Sequence, residues 1–198
     1  MSKRRKFQRP PATLNYRKLF VIATEGDKTE PQYFALFYSR TTTVTVKCLK
    51  SRDESSPPQV LKRMKDYIRD KELKRTDEAW LVVDKDQWRD DQLIQLYGWS
   101  IQATNYGLAV SNPKFELWLL MHFEDATGAA TPRQCFERLN RYLPGYDKGH
   151  IDTGKLKPGI AAAIDRAKQK DQPPCADWPR SSGTTVYRLV EKLMNSQG

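Results

Sequence analysis

Leu19-Phe20-Val21-Ile22-Ala23-Thr24 runs straight into Glu25, and Trp80-Leu81-Val82-Val83 runs straight into Asp84-Lys85-Asp86. Each is a short, unbroken apolar stretch, the pattern of a strand buried on both faces rather than one alternating between core and water. Strands of that kind belong to parallel sheets whose connections are helices. In such sheets ligands and metals sit beyond the carboxyl ends of the strands. Acids at two of those ends therefore point to chemistry on a phosphate.

The neighbouring segments fill in the pattern. Thr29 opens a helix that is expected to reach Ser39, and Thr41 to Leu49, rich in β-branched residues, reads as a second strand. Pro57 to Leu73 carries Val60, Leu61, Met64, Tyr67 and Ile68 at amphipathic helical spacing. The strand Ala79 to Val83, a helix from Asp90 to Tyr97 and a fourth strand from Ile101 to Val110 complete a βαβαβαβ alternation. The fold class expected is α/β, with a mostly parallel four-stranded sheet flanked by helices. Pro113 to Phe123 should be a helix capped by Ser111 or Asn112, with Pro113 in its first turn. Pro132 to Tyr142, Thr153 to Lys170 and Thr184 to Asn195 then form a helical C-terminal extension. This gives a basic flexible tail over residues 1–17, an α/β core over 18–124, and an extension over 125–198 packed on that core.

At 198 residues and 38% hydrophobic content the chain suits one soluble unit. No apolar stretch approaches the roughly 20 residues of a membrane span, and Met1 to Phe7 lacks the apolar region of a secretory signal, so a cytoplasmic protein is expected. Cys48, Cys135 and Cys175 are far apart and odd in number, which suggests reduced thiols rather than disulfides or a zinc site. The net charge of +10 favours a polyanionic partner such as nucleic acid. The basic tail serves either as a phosphate-binding arm or as a solubilising terminus.

Asp84 and Asp86 are two apart, so both carboxylates face one side while the chain stays extended. That suits magnesium, which takes one or two protein carboxylates together with water and substrate phosphate. The plainer alternative is a solvated loop at 84–86 and a turn at Glu25-Gly26-Asp27. Glu116, one helical turn after Asn112, adds an extra acid or a helix-start carboxylate. Asn112 is either a site residue or a cap. Lys28 and Thr29 begin the first helix, where an ammonium and free amides suit a phosphate, or form an ordinary surface start. His122, alone on an apolar helix, reads as core, as do Phe115, Trp118, Leu119 and Phe123. With His122 and His150 as the only histidines, no nucleophilic triad is visible, and no Walker-type loop is present.

Four segments resemble the RloB family of prokaryotic defence proteins, which includes AbiL-type abortive-infection components and is related to TOPRIM domains. They are Phe20 to Phe34, Val82 to Asp86, Ser111 to Phe123 and Ser182 to Val190. TOPRIM domains use a glutamate after the first strand and an Asp-x-Asp after a later one, positions that Glu25, Asp84 and Asp86 match. The resemblance implies a TOPRIM-like core in which Asp84 and Asp86 hold Mg2+ or Mn2+ and Glu25 binds metal or moves a proton. It also gives Lys148 a place in a segment the family tends to keep basic and aromatic. The chain departs from the pattern at Lys114, where a small residue is common, and at Arg180 to Thr185. The activity implied is a divalent-metal-dependent nuclease of an antiphage system, acting on nucleic acid and controlled by an ATPase partner of the RloA or AbiL type. The alternative is a non-catalytic module that binds nucleic acid or a nucleotide within the same complex.

Overall fold

The computed structural model describes residues 17–38, 43–49, 56–86 and 88–197. Strands β1 (Lys18–Thr24), β2 (Val44–Leu49), β3 (Glu78–Asp84) and β4 (Tyr106–Asn112) lie parallel. The short β5 (Gly183–Thr184) pairs antiparallel with β4, giving the order β2-β1-β3-β4-β5. The sheet is thus five-stranded rather than four-stranded. Two residues are too few to carry any periodicity, so β5 leaves no trace in the sequence.

Side chains alternate across the sheet and feed two cores. Phe20, Ile22, Trp80 and Val82 face one side, where they join Trp118, Leu139, Leu156 and Leu189 in a single apolar cluster. That side is covered by α1 (Thr29–Phe34), α4 (Phe115–Leu120), α5 (Pro132–Tyr142), α6 (Thr153–Leu156), α7 (Ile160–Lys170) and α8 (Val186–Asn195). Val21, Ala23, Leu81 and Val83 face the other, against Val60 and Met64 of α2 (Pro57–Asp70) and Leu93 and Leu96 of α3 (Asp90–Ser100). Every residue from Phe20 to Thr24 is fully buried, which is why β1 reads as an unbroken apolar run.

Several boundaries differ from expectation. The fourth strand starts at Tyr106, because α3 runs on to Ser100 and residues 101–105 turn. β4 extends to Asn112, so Ser111 and Asn112 are strand residues paired with β5, and α4 is capped by Lys114 in an extended conformation. The helix expected over Thr153 to Lys170 is broken by a 3-10 turn, Lys157–Gly159, at Pro158, which removes an amide from the ladder. Residues 1–16 of the expected tail, Ser39 of the first helix, and Thr41 and Thr42 of the second strand lie outside the described residues. No helix among those described is long and apolar enough to cross a membrane.

Candidate acidic cleft at the switch point

The chain order places a site between β1 and β3. From β1 the chain passes to β2 on one side, then returns through α2 to β3 on the other, with α1 and α2 on opposite faces. Beyond the carboxyl ends of two such strands the connections diverge and leave a crevice. Here it is a cleft of about 640 Å³. Glu25, Glu30, Asp84 and Glu116 line it together with Lys114 and Lys148.

Each acid is held by its element. The amide of Glu25 still donates to the Val82 carbonyl of β3 (3.0 Å), so its side chain emerges at the very end of the sheet. One Glu25 oxygen accepts from the Asp84 N–H (3.1 Å) and the other from Trp88 Nε1–H (2.9 Å). Glu30 is buried in the first turn of α1, and its Oε1 accepts from the Gly26 N–H at 3.0 Å. Gly26 has to be glycine for that approach, since a Cβ there would lie 2.3 Å from Glu30 Oε2. Glu116 is buried at the start of α4, with the Tyr146 hydroxyl at 3.4 Å and Lys148 Nζ at 3.3 Å from its Oε1.

Burial and mutual repulsion hold these carboxyls out of their ordinary range. Burial pushes Glu30 up to about 7, with Glu116 and Glu25 adding to it against the pull of its own and the Gly26 amide. Asp84 is raised well above its usual value, first by burial and then by the charges of Glu30, Glu25 and Glu116. Glu25 is raised by burial, and the Trp88 and Asp84 donors and Lys114 hold it back. Burial works against the charge on Lys114, but Asp86, Asp84 and Glu116 outweigh it and hold that ammonium above its ordinary pKa.

The donor set is all carboxylate oxygen, the chemistry of a hard divalent cation, and its repelling negative charge is what such an ion relieves. Yet among the described residues no three His, Cys, Asp or Glu side chains are gathered closely enough to hold a metal ion. Asp86 pairs with Lys114 Nζ at 2.9 Å and stands outside the cleft-lining residues. The donor chemistry of the cleft fits such an ion.

Of the residues singled out in the sequence, Glu25, Asp84, Glu116, Lys28, Thr29 and Lys148 all line the cleft. The Thr29 hydroxyl donates to the Lys148 carbonyl (3.3 Å), tying the 146–150 segment to α1. Asn112 does not line it; its amide donates to the Pro179 carbonyl (3.0 Å) and anchors the approach to β5. His122 is a core residue, with Nε2 3.1 Å from the Tyr33 hydroxyl and Nδ1 3.0 Å from the Trp118 carbonyl. Burial lowers its pKa to about 4. Glu30, Trp88 and Lys114 are the site residues that sequence reasoning passed over. The four-residue spacing of Gly26 and Glu30 was the available signal.

A family model described as RloB-like protein matches residues 20–193. The chain belongs to the RloB-like family. The match spans the cleft and every residue that lines it. Neither the comparison with curated proteins nor that with solved structures returns a match.

Proposed function

We propose that this chain is a divalent-metal-dependent, TOPRIM-like nuclease component of a prokaryotic antiphage system, cutting nucleic acid phosphodiesters under the control of an RloA/AbiL-type ATPase. The observation that carries this reading is the convergence of Glu25, Asp84 and Glu116 with the buried Glu30 at the switch point of a parallel sheet. Carboxylates held in mutual repulsion do nothing for a polyanion unless a cation reverses their sign. Asp84, Asp86 and Glu25 would hold Mg2+ or Mn2+. When bound, the ion would stabilise charge on phosphate oxygens and lower the pKa of an attacking water. Lys28, Thr29 and Lys148 at the rim would receive the phosphate backbone, and the excess of positive charge would draw it in.

The test is Mg2+- or Mn2+-dependent cleavage of mixed DNA and RNA by the purified chain, alone and with its ATPase, beside Asp84→Asn/Asp86→Asn. Cleavage that disappears in the folded double variant supports the nuclease. A non-catalytic binding module is the second reading, favoured by the pairing of Asp86 with Lys114 and of Glu116 with Lys148. In that case no condition yields cleavage, and the double variant binds polyanion as well as the parent or better.

A further inference from the structure

The pair Asp86–Lys114 is built into the sheet rather than left to two surface side chains. β3 and β4 pair up to Asp84 opposite Ser111. The ladder then continues past the strands, with the Lys85 N–H donating to the Ser111 carbonyl (2.7 Å) and the Asp86 N–H to the Pro113 carbonyl (3.0 Å). The next residue after Pro113 is Lys114, which this register delivers beside Asp86. Both side chains are about seven-tenths covered, at 28% and 30% exposure. Lys114 lines the cleft and its charge is felt by Glu25, Asp84 and Glu116 as well. The other cleft lysine, Lys148, is more exposed at 58% and pairs with Glu116.

We propose that Lys114 is a built-in counter-cation that holds Asp86 in the metal-free protein and competes with a divalent cation for that carboxylate. The metal ligand set is then assembled only when the ion displaces the ammonium, so Lys114 sets the metal concentration at which the cleft becomes complete. This rests on the metal-dependent reading above. It is a positioning role: Lys114 acts chiefly through Asp86, the carboxylate it pairs with.

The experiment is direct Mn2+ binding to the full chain, followed by the loss of the free-ion paramagnetic resonance signal, with no substrate present. The variants are Lys114→Met, Asp86→Asn and the two combined, with Lys114→Gln as a second replacement that keeps the folded state accessible. The ion has to displace a charge-assisted bond of 2.9 Å before it gains Asp86, so removing the ammonium should tighten Mn2+ binding about tenfold or more. In the Asp86→Asn background the same replacement should give a clearly smaller gain, because the contested ligand is gone and only the field of Lys114 at Glu25 and Asp84 remains. A tenfold gain that persists with Asp86→Asn overturns the proposal, since the lysine would then act by long-range repulsion alone. Unchanged or weaker binding in both Lys114 variants overturns it and leaves the metal-dependent reading standing. No Mn2+ binding by any folded variant, with Asp86 freed, overturns both.

Discussion

Replacing Glu30 with glutamine should make the protein more stable at alkaline pH and leave it unchanged in acid. Glu30 is 5% exposed, and its carboxyl is pushed from 4.5 to about 7 by burial and by the charges of Glu116 and Glu25. The folded state therefore favours the protonated group. Its stabilising contribution is fully present below 4.5 and is lost as pH rises through about 7. A shift of about 2.5 units at about 1.4 kcal/mol each amounts to about 3 kcal/mol lost between about pH 4 and pH 8. Gln keeps an oxygen for the Gly26 N–H, and the lost charge also eases the repulsion on Asp84, which acts in the same direction. Urea unfolding of wild type and Glu30→Gln in a chelating buffer should give curves that meet near pH 4 and separate by about 3 kcal/mol near pH 8. Two curves that run parallel over the whole range would refute the reasoning, because a carboxyl that titrates normally in the folded state gives no such divergence.

Gly26→Ala should flatten the same pH dependence by a different route. Its methyl would lie 2.3 Å from Glu30 Oε2 and drive the carboxyl towards water, so unfolding near pH 5 and pH 8 should show the smaller slope of Glu30→Gln; a slope like wild type would mean the side chain has not moved. His122 works with the opposite sign: held neutral at a pKa of about 4, against 6.5 for a free group, it contributes stability that is present above 6.5 and lost as pH falls through about 4. Tyr33→Phe leaves its Nε2 without a partner in the core and should cost about 1–3 kcal/mol in urea unfolding at neutral pH, where a loss below about 0.5 would show that the hydroxyl is not needed.

The parallel strands were legible because their burial on both faces writes itself as unbroken apolar residues, as in Phe20 to Thr24. α2 and α5 were legible for the complementary reason, each placing buried residues such as Val60 and Met64, or Cys135 and Leu139, at helical spacing. Glu25, Asp84 and Glu116 could be singled out because strand and helix ends decide where they go. What stayed hidden depends on register. Glu30 reads as an acid in a helix's first turn, and only the bond from the Gly26 amide shows it turned inward, where its charge raises Asp84. Asp86 shares its spacing with Asp84, yet the ladder beyond β3 and β4 turns it onto Lys114, which no local pattern records. Asn112 looked like a cap because Pro113 follows it, and the two-residue β5 claimed it for the sheet instead.

The contrast between the acids of this cleft and the other buried acids of the molecule separates uncompensated from compensated charge. Glu78 is as buried as Glu30, at 5%. It receives Lys18 at 2.6 Å, Lys192 at 3.0 Å and the Trp80 indole at 2.9 Å. Asp171, also buried, receives Arg188 at 2.7 Å and the Tyr187 hydroxyl at 2.8 Å. Burial acts to raise both, yet these donors outweigh it and hold each below the ordinary carboxylate range. Glu25, Glu30 and Asp84 move the other way, although Lys114 and Lys148 stand in the same cleft. Burial raises all five carboxyls; Glu78 and Asp171 nevertheless fall because each accepts from several donors, Lys18, Trp80 and Lys192 for the one, and Cys175, Tyr187 and Arg188 for the other. At the amino end of β3 the fold provides two lysines for one glutamate, whereas at the carboxyl end it gathers more carboxylates than the local lysines neutralise. Such under-compensation weakens the folded state at neutral pH. A chain shaped for stability alone would pair or remove these acids; under the function proposed above, the switch point is where a divalent cation would complete the charge balance.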